Sequence, residues 1–251
     1  MSRLSAARVS LPRRVLAETV GTAALTGTVV GSGIAAARLS PEDAGLQLLE
    51  NTLATVFVLG AAILVLGPVS GAHLNPVVSL ADWWLGRVGR TGLGLRELAG
   101  YTVGQVAGAI AGTVLANLMY SLPAVSWSTK ARAAPQLWLG ELVATAGLLL
   151  VVFAVVRTQR PSAAPIAVGA WIGAAYWFTS STSFANPAVT IGRAFSDTFA
   201  GIAPASVPAF VLAQLLATVL GVALVALLYP TTRSAPTSGR AALSNLQGEH
   251  R

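Results

Sequence analysis

Residues Ser70–Val78 read SGAHLNPVV, and residues Phe184–Val189 read FANPAV. Each stretch holds an Asn-Pro pair, Asn75-Pro76 and Asn186-Pro187, followed by a short apolar run. Asn is among the best helix N-caps, and Pro is favoured at the first helical position, where no backbone donor is needed. Each pair therefore predicts a helix start. The segments around them, Ser70–Leu85 and Ser183–Phe199, are too short and too polar to cross a bilayer. Only about ten apolar residues follow each pair, a helix of about 15 Å, half of a hydrocarbon core of about 30 Å. Irregular backbone at membrane depth is tolerated only where protein buries it or it lines a wet cavity. Both segments are thus predicted to be re-entrant half-helices.

The surrounding chain has the composition such half-helices require. Of its 251 residues 54% are apolar and only 10% charged, where a soluble domain carries about a quarter charged residues. Six apolar stretches approach the roughly 20 residues a helix needs to cross: Val15–Ala37, Leu46–Val69, Leu98–Leu122, Leu137–Val156, Ala163–Ser180 and Ser206–Tyr229, the fifth being short. The first is too long for a signal-peptide core. Net charge is +7, yet the basic residues are scattered through loops with no Lys/Arg stripe interleaved with aromatics, which argues against a nucleic-acid partner. With six spans and a cytoplasmic N-terminus, only Arg38, Lys130, Arg132 and Arg193 of the 16 basic residues fall outside. This positive-inside bias predicts a multi-pass protein of the cell (inner or plasma) membrane with both termini cytoplasmic. Residues 1–14 form an N-terminal cytoplasmic segment, 15–230 one membrane domain, and 231–251, rich in Ser, Thr, Ala and Gly, a mobile cytoplasmic tail. There is no cysteine, no metal-binding cluster, no nucleophile–base pair and no phosphate loop, so no cofactor and no enzymatic activity are expected.

The domain repeats itself over about 15–122 and 137–229. Span one carries Ala17-Glu18-Thr19-Val20-Gly21-Thr22 and span four Gly140-Glu141-Leu142-Val143-Ala144-Thr145; each half then reaches its Asn-Pro pair and ends in a span with one Gln, Gln105 or Gln214. Three spans per half invert the second half relative to the first. The expected fold is an all-α membrane protein of six transmembrane helices and two half-helices in an inverted 3+3 repeat, the half-helix tips meeting near the midplane. Each helix start carries about half a positive charge, so the opposed tips repel cations, while the Asn75 and Asn186 amides keep donors for a neutral solute. Gly100, Gly104, Gly108 and Gly112 form a ladder of small residues at four-residue spacing, as do Gly169 and Gly173, which predicts close helix packing seams.

SGAHLNPVV and FANPAV closely resemble the paired signature loops of the major intrinsic protein family, the aquaporins and aquaglyceroporins. AETVGT at Ala17–Thr22 and the Gln of spans three and six are also similar to that family. The resemblance covers about Val15–Tyr229. It implies a pore in each subunit of a homotetramer, centred on Asn75, Pro76, Val77, Asn186, Pro187 and Ala188. It implies that backbone carbonyls of Gly71, Ala72, His73 and Leu74 line the pore as acceptors. Buried Glu18 and Glu141 would brace the re-entrant loops. His73 would brace its loop as well, a pH gate being the alternative.

The chain also departs from the pattern. Where water-selective members place an Arg after the second Asn-Pro-Ala, this sequence has Val189, and the first motif reads Asn-Pro-Val with Val77. The usual four-residue constriction maps onto Thr55, Tyr176, Ser183 and Val189, with Ala174 replacing Tyr176 if no gap is allowed before the loop. Thr, Ser and Val are small, so a wider pore is expected, passing small neutral solutes: polyols, urea-like molecules, or metalloid hydroxides such as arsenous acid, with some water. A water-selective channel and an ion- or proton-coupled transporter are the alternatives. Arg193 lies four residues beyond Val189 on the same helical face, roughly 6 Å nearer the outer mouth. It either restores part of the missing charge in an outer vestibule or pairs with Asp197 at i+4.

Overall fold

The computed structural model describes residues 9–87 and 91–230. The C-terminal tail expected to be mobile lies outside the described residues, as do residues 1–8 of the N-terminal segment. Among the described residues eight α-helices follow one another: α1 Leu11–Leu39, α2 Ala44–Ser70, α3 Pro76–Gly86, α4 Leu95–Met119, α5 Pro135–Arg157, α6 Ala164–Phe178, α7 Pro187–Gly192 and α8 Val207–Leu228. Among the described residues five helices, α1, α2, α4, α5 and the one ending at Leu228, are long and apolar enough to cross a membrane. α6 has only 15 residues, about 22 Å of helix; a 3-10 turn over Pro161–Ala163 lengthens it at its start.

The ends of the predicted spans move by one to four residues, and two changes have a visible local cause. The third span stops at Met119 instead of Leu122, because Ser121 adopts a left-handed backbone and Leu122 turns back to the carbonyl of Asn117. The second half-helix is shorter than about ten residues. Its α-helical part ends at Gly192 and gives way to a 3-10 turn over Arg193–Phe195.

The two halves pack in the same way. α1 lies along α4 and α2, as α5 lies along α8 and α6. In the first pair the glycine ladder sets the distance. A Cβ on Gly108 would stand 2.2 Å from the backbone oxygen of Thr19, and one on Gly112 2.1 Å from that of Ala23. Gly169 and Gly173 face Val56 of α2. Each half-helix then bridges the halves: α3 rests on α4 and α8, and α7 on α4 and α8. This crossing brings the starts of α3 and α7 together at the centre of the molecule. Large apolar side chains such as Phe57, Val65, Val103 and Leu216 are exposed on the outer surface, as expected of a protein whose solvent there is lipid.

Candidate functional site

The loops before the half-helices are built on strained backbone. Ala72 and Leu74 in the first, and Ser183 and Ala185 in the second, adopt left-handed φ of 48°, 52°, 48° and 47°. A non-glycine residue held there costs on the order of 1–3 kcal/mol and persists only where its surroundings over-determine it. The surroundings here are two buried carboxylates. Glu18 accepts from the backbone N–H of His73 (3.0 Å) and Leu74 (2.6 Å) and from the Ser70 hydroxyl (2.6 Å). Glu141 accepts from the backbone N–H of Phe184 and Ala185, both at 2.8 Å. Gln105 Nε2 donates to Glu18 and to Ser79 Oγ; Gln214 Nε2 donates to Glu141 and to Thr190 Oγ1. Ser79 and Thr190 each return a hydrogen bond to the carbonyl of their own Asn. The Glu, Asn-Pro and Gln landmarks of each half thus form one network, and the two networks match in their Glu, Asn, Gln and hydroxyl members, the Ser70 hydroxyl on Glu18 being additional. Tyr101 adds an outer support to the first loop, donating to the Ser70 carbonyl at 2.7 Å. The His73 ring, half-buried in the same loop, lies 3.1 Å from Ser79 Oγ through Nδ1 and packs edge-on to Tyr101.

Asn75 and Asn186 cap α3 and α7: the side-chain oxygen of Asn75 accepts from Val77 N–H, and that of Asn186 from Ala188 and Val189 N–H. Their amide groups reach across the midline. Asn75 Nδ2 donates to the Ala185 carbonyl and Asn186 Nδ2 to the Leu74 carbonyl, both at 2.7 Å. One of the two N–H groups of each amide is spent on this clasp, which leaves the other for the lumen. Val77 and Ala188, next in line, are fully buried beside the Asn residues, as is Pro187.

A cavity of about 600 Å³ runs through this centre. At one end it is lined by Gly67, Pro68, Asp82 and the turn at Pro161 and Ser162; it passes the 71–74 loop, Asn75 and Asn186, and it ends among Thr55, Tyr176, Ser183, Val189 and Arg193. Much of its wall is aliphatic, from Leu25, Val29, Ile63, Val78 and Ile172. The constriction residues come together as a group. Tyr176 OH donates to Thr55 Oγ1 at 3.3 Å, and Ser183 Oγ is buried without a protein partner. Ala174, the alternative to Tyr176, is exposed and is not part of the lining.

Arg193 is 3% exposed and lines the cavity. The alternative pairing with Asp197 does not form. Asp197 accepts from the backbone N–H and hydroxyl of Thr129, while Arg193 Nε donates to the Ala200 carbonyl. The chain leaves the α-helix at Gly192, so the i+4 geometry does not reach Asp197. Spacing alone also missed the loop before α5. Its residues Ser126 and Ser128 pair with the carbonyls of Phe195 and Ala194. It delivers two more cations: Lys130 Nζ donates to the Phe199 carbonyl and Arg132 Nε to that of Gly201. Three successive carbonyls, 199 to 201, are thus each taken by one cation, and the Arg132 and Arg193 guanidiniums both lie against the Phe184 ring. Burial, then the like charges of Arg132 and Arg193, lower the Lys130 ammonium to about 8, although Lys130 keeps surface in water; burial lowers Arg132.

The family model for the major intrinsic protein matches residues 5–184. The chain is 50% identical over 214 residues to the aquaglyceroporin AqpS of Rhizobium meliloti, covering 85% of this chain and 89% of that one. It is 38% identical over 112 residues to the glycerol uptake facilitator protein of Pseudomonas aeruginosa, which covers 45% of this chain and 37% of that one. The solved aquaglyceroporin from Plasmodium falciparum superposes with a TM-score of 0.65 at 21% identity, over 86% of this chain and 96% of that one.

Proposed function

Because the chain belongs to the major intrinsic protein family, as a multi-pass membrane channel for small neutral solutes and not an enzyme, we propose that its pore is of the wide, solute-passing kind. It would conduct glycerol-like polyols, urea-like molecules and metalloid hydroxides such as arsenous acid, with water alongside. The observation that carries this reading is the constriction at Thr55, Tyr176, Ser183 and Val189, with an aliphatic residue where a guanidinium would narrow the passage and an unpartnered Ser183 hydroxyl in the wall. A polyol has a hydrocarbon face and a hydroxyl face. The aliphatic wall takes the first. The carbonyls of the 71–74 and 183–185 loops and the free N–H groups of Asn75 and Asn186 take the second. A passing neutral solute exchanges hydrogen bonds at the centre, while the positive ends of α3 and α7 disfavour cations.

In this assignment the pore centre is Asn75, Pro76, Val77, Asn186, Pro187 and Ala188, and Glu18 and Glu141 are structural acids that never meet solute. The termini lie in the cytoplasm, so the Arg193 mouth faces outward and the Asp82 mouth inward. Four copies assemble, each with its own pore, through part of the apolar outer surface, as the family pattern implies.

The test is Val189→Arg in proteoliposomes, followed by light scattering. Glycerol, urea and arsenous acid flux should each fall by about tenfold or more relative to water flux, the equivalent of about 1.4 kcal/mol on the barrier. Unchanged solute flux in this variant removes the wide-filter assignment.

A further inference from the structure

Val189 leaves the constriction without the fixed charge that its repeat-mate position offers no substitute for, since Val78 in the first half is also aliphatic. One turn further along each half-helix the picture changes. Asp82 stands seven residues beyond Asn75, and Arg193 seven beyond Asn186. Both line the cavity, one at each end, as Val78 and Val189 do at the position three beyond each Asn. The repeat therefore aims the same two positions of both half-helices at the lumen. At the second of them it sets a carboxylate at one mouth and a guanidinium at the other.

The guanidinium is held in place by groups that do not cancel its charge. Arg193 Nε donates to the Ala200 carbonyl, its plane lies against the Phe184 ring, and among the described residues it makes no salt bridge. Arg132 and Lys130 flank it on the neighbouring carbonyls of Gly201 and Phe199, so its positive field is reinforced. Ser183 Oγ, buried and unpartnered, belongs to the same end of the cavity. Asp82 lies at the other mouth, where one of its oxygens accepts from Leu93 N–H at 2.8 Å.

We propose that Arg193 is the cation-excluding filter residue of this channel, displaced one helical turn from position 189 and clamped there by the Ala200 carbonyl and the Phe184 ring. The displacement separates two tasks. Val189 leaves the aperture wide for a neutral solute, while Arg193 sets the charge selectivity at the mouth. The inference rests on the cavity being the conduction path. That premise is checked first, by glycerol flux through the wild type; its failure is visible before any variant is made.

The experiment compares methylammonium and glycerol flux in proteoliposomes of wild type, Arg193→Gln and Arg193→Lys. Methylammonium flux should rise about tenfold or more in Arg193→Gln, the scale on which a charged cleft changes local ion concentration. The ratio of methylammonium to glycerol flux should rise by the same factor, and Arg193→Lys should exclude methylammonium as the wild type does. An Arg193→Gln channel that conducts glycerol yet still excludes methylammonium overturns the proposal, and so does an Arg193→Lys channel that leaks like Arg193→Gln. If Arg193→Gln loses glycerol flux because the clamp is needed for folding, Val189→Glu decides. Its carboxylate, one turn before Arg193, neutralises the guanidinium without removing it. Raised methylammonium flux in Val189→Glu supports the proposal, and unchanged exclusion overturns it.

Discussion

Glu141 illustrates how single residues hold this channel in shape. It is fully buried, and every contact it makes is with a donor: two backbone N–H groups of the second loop and the Gln214 amide. Substituting Glu141→Gln turns half of that acceptor into a donor facing donors. An orphaned buried donor costs about 1–3 kcal/mol, and a hydrogen bond to a charged group contributes about 1.5–3 kcal/mol. The variant is therefore expected to lose about 3 kcal/mol or more of stability, read as a lower melting temperature in detergent and a loss of flux. A melting temperature and flux equal to the wild type would mean that the strained loop at Ser183 and Ala185 holds itself. The sequence exposed Glu18 and Glu141 because ionisable residues are rare inside apolar spans. It did not expose what they oppose, since the left-handed residues are Ala72, Leu74, Ser183 and Ala185, types that carry no signal of positive φ. Nor did it expose the partner of Arg193. Helical spacing nominated Asp197, but the helix ends before the spacing can act, and the true acceptor is a backbone carbonyl, which sequence patterns do not label.

At the level of elements, the half-helices and the long spans were legible because their causes are local: Asn-Pro caps, apolar length, and the glycine ladder. The ladder gives a test of its own. At Gly112 a Cβ would stand 2.1 Å from the Ala23 backbone oxygen, whereas at Gly67 a Cβ would meet nothing within 4 Å. Gly112→Val is expected to force α1 and α4 apart, at a cost of about 1–3 kcal/mol or more. Gly67→Ala is expected to melt like the wild type. Size-exclusion profiles and melting curves of the two variants check this, and a Gly112→Val protein as stable as Gly67→Ala would mean that the seam is not tightly packed. Less legible was the segment between α4 and α5. It has no periodicity, yet it folds over the end of α7 and supplies Lys130 and Arg132 to the carbonyls of residues 199 and 201. Its partners lie about 70 residues away in the other direction of the repeat, a distance no short window spans. The loop also claims the carbonyls of Ala194 and Phe195, which keeps the helix from continuing past the 3-10 turn.

For the whole molecule, the inverted repeat explains why one sequence landmark in each half becomes one site at the centre. Two caps, pointing at each other from opposite faces, clasp each other's loops through Asn75 and Asn186, and the cavity passes beside the clasp. Glu18 and Glu141 are committed to the donors of the loops and of Gln105 and Gln214, so neither is free to carry a proton through the lumen. Transport should therefore be passive. The most direct measurement is the rate of glycerol flux into proteoliposomes as external glycerol is raised, with and without a protonophore. Flux that grows in proportion to concentration and ignores the protonophore is the expected result. Flux that saturates and collapses with the proton gradient would contradict the channel account.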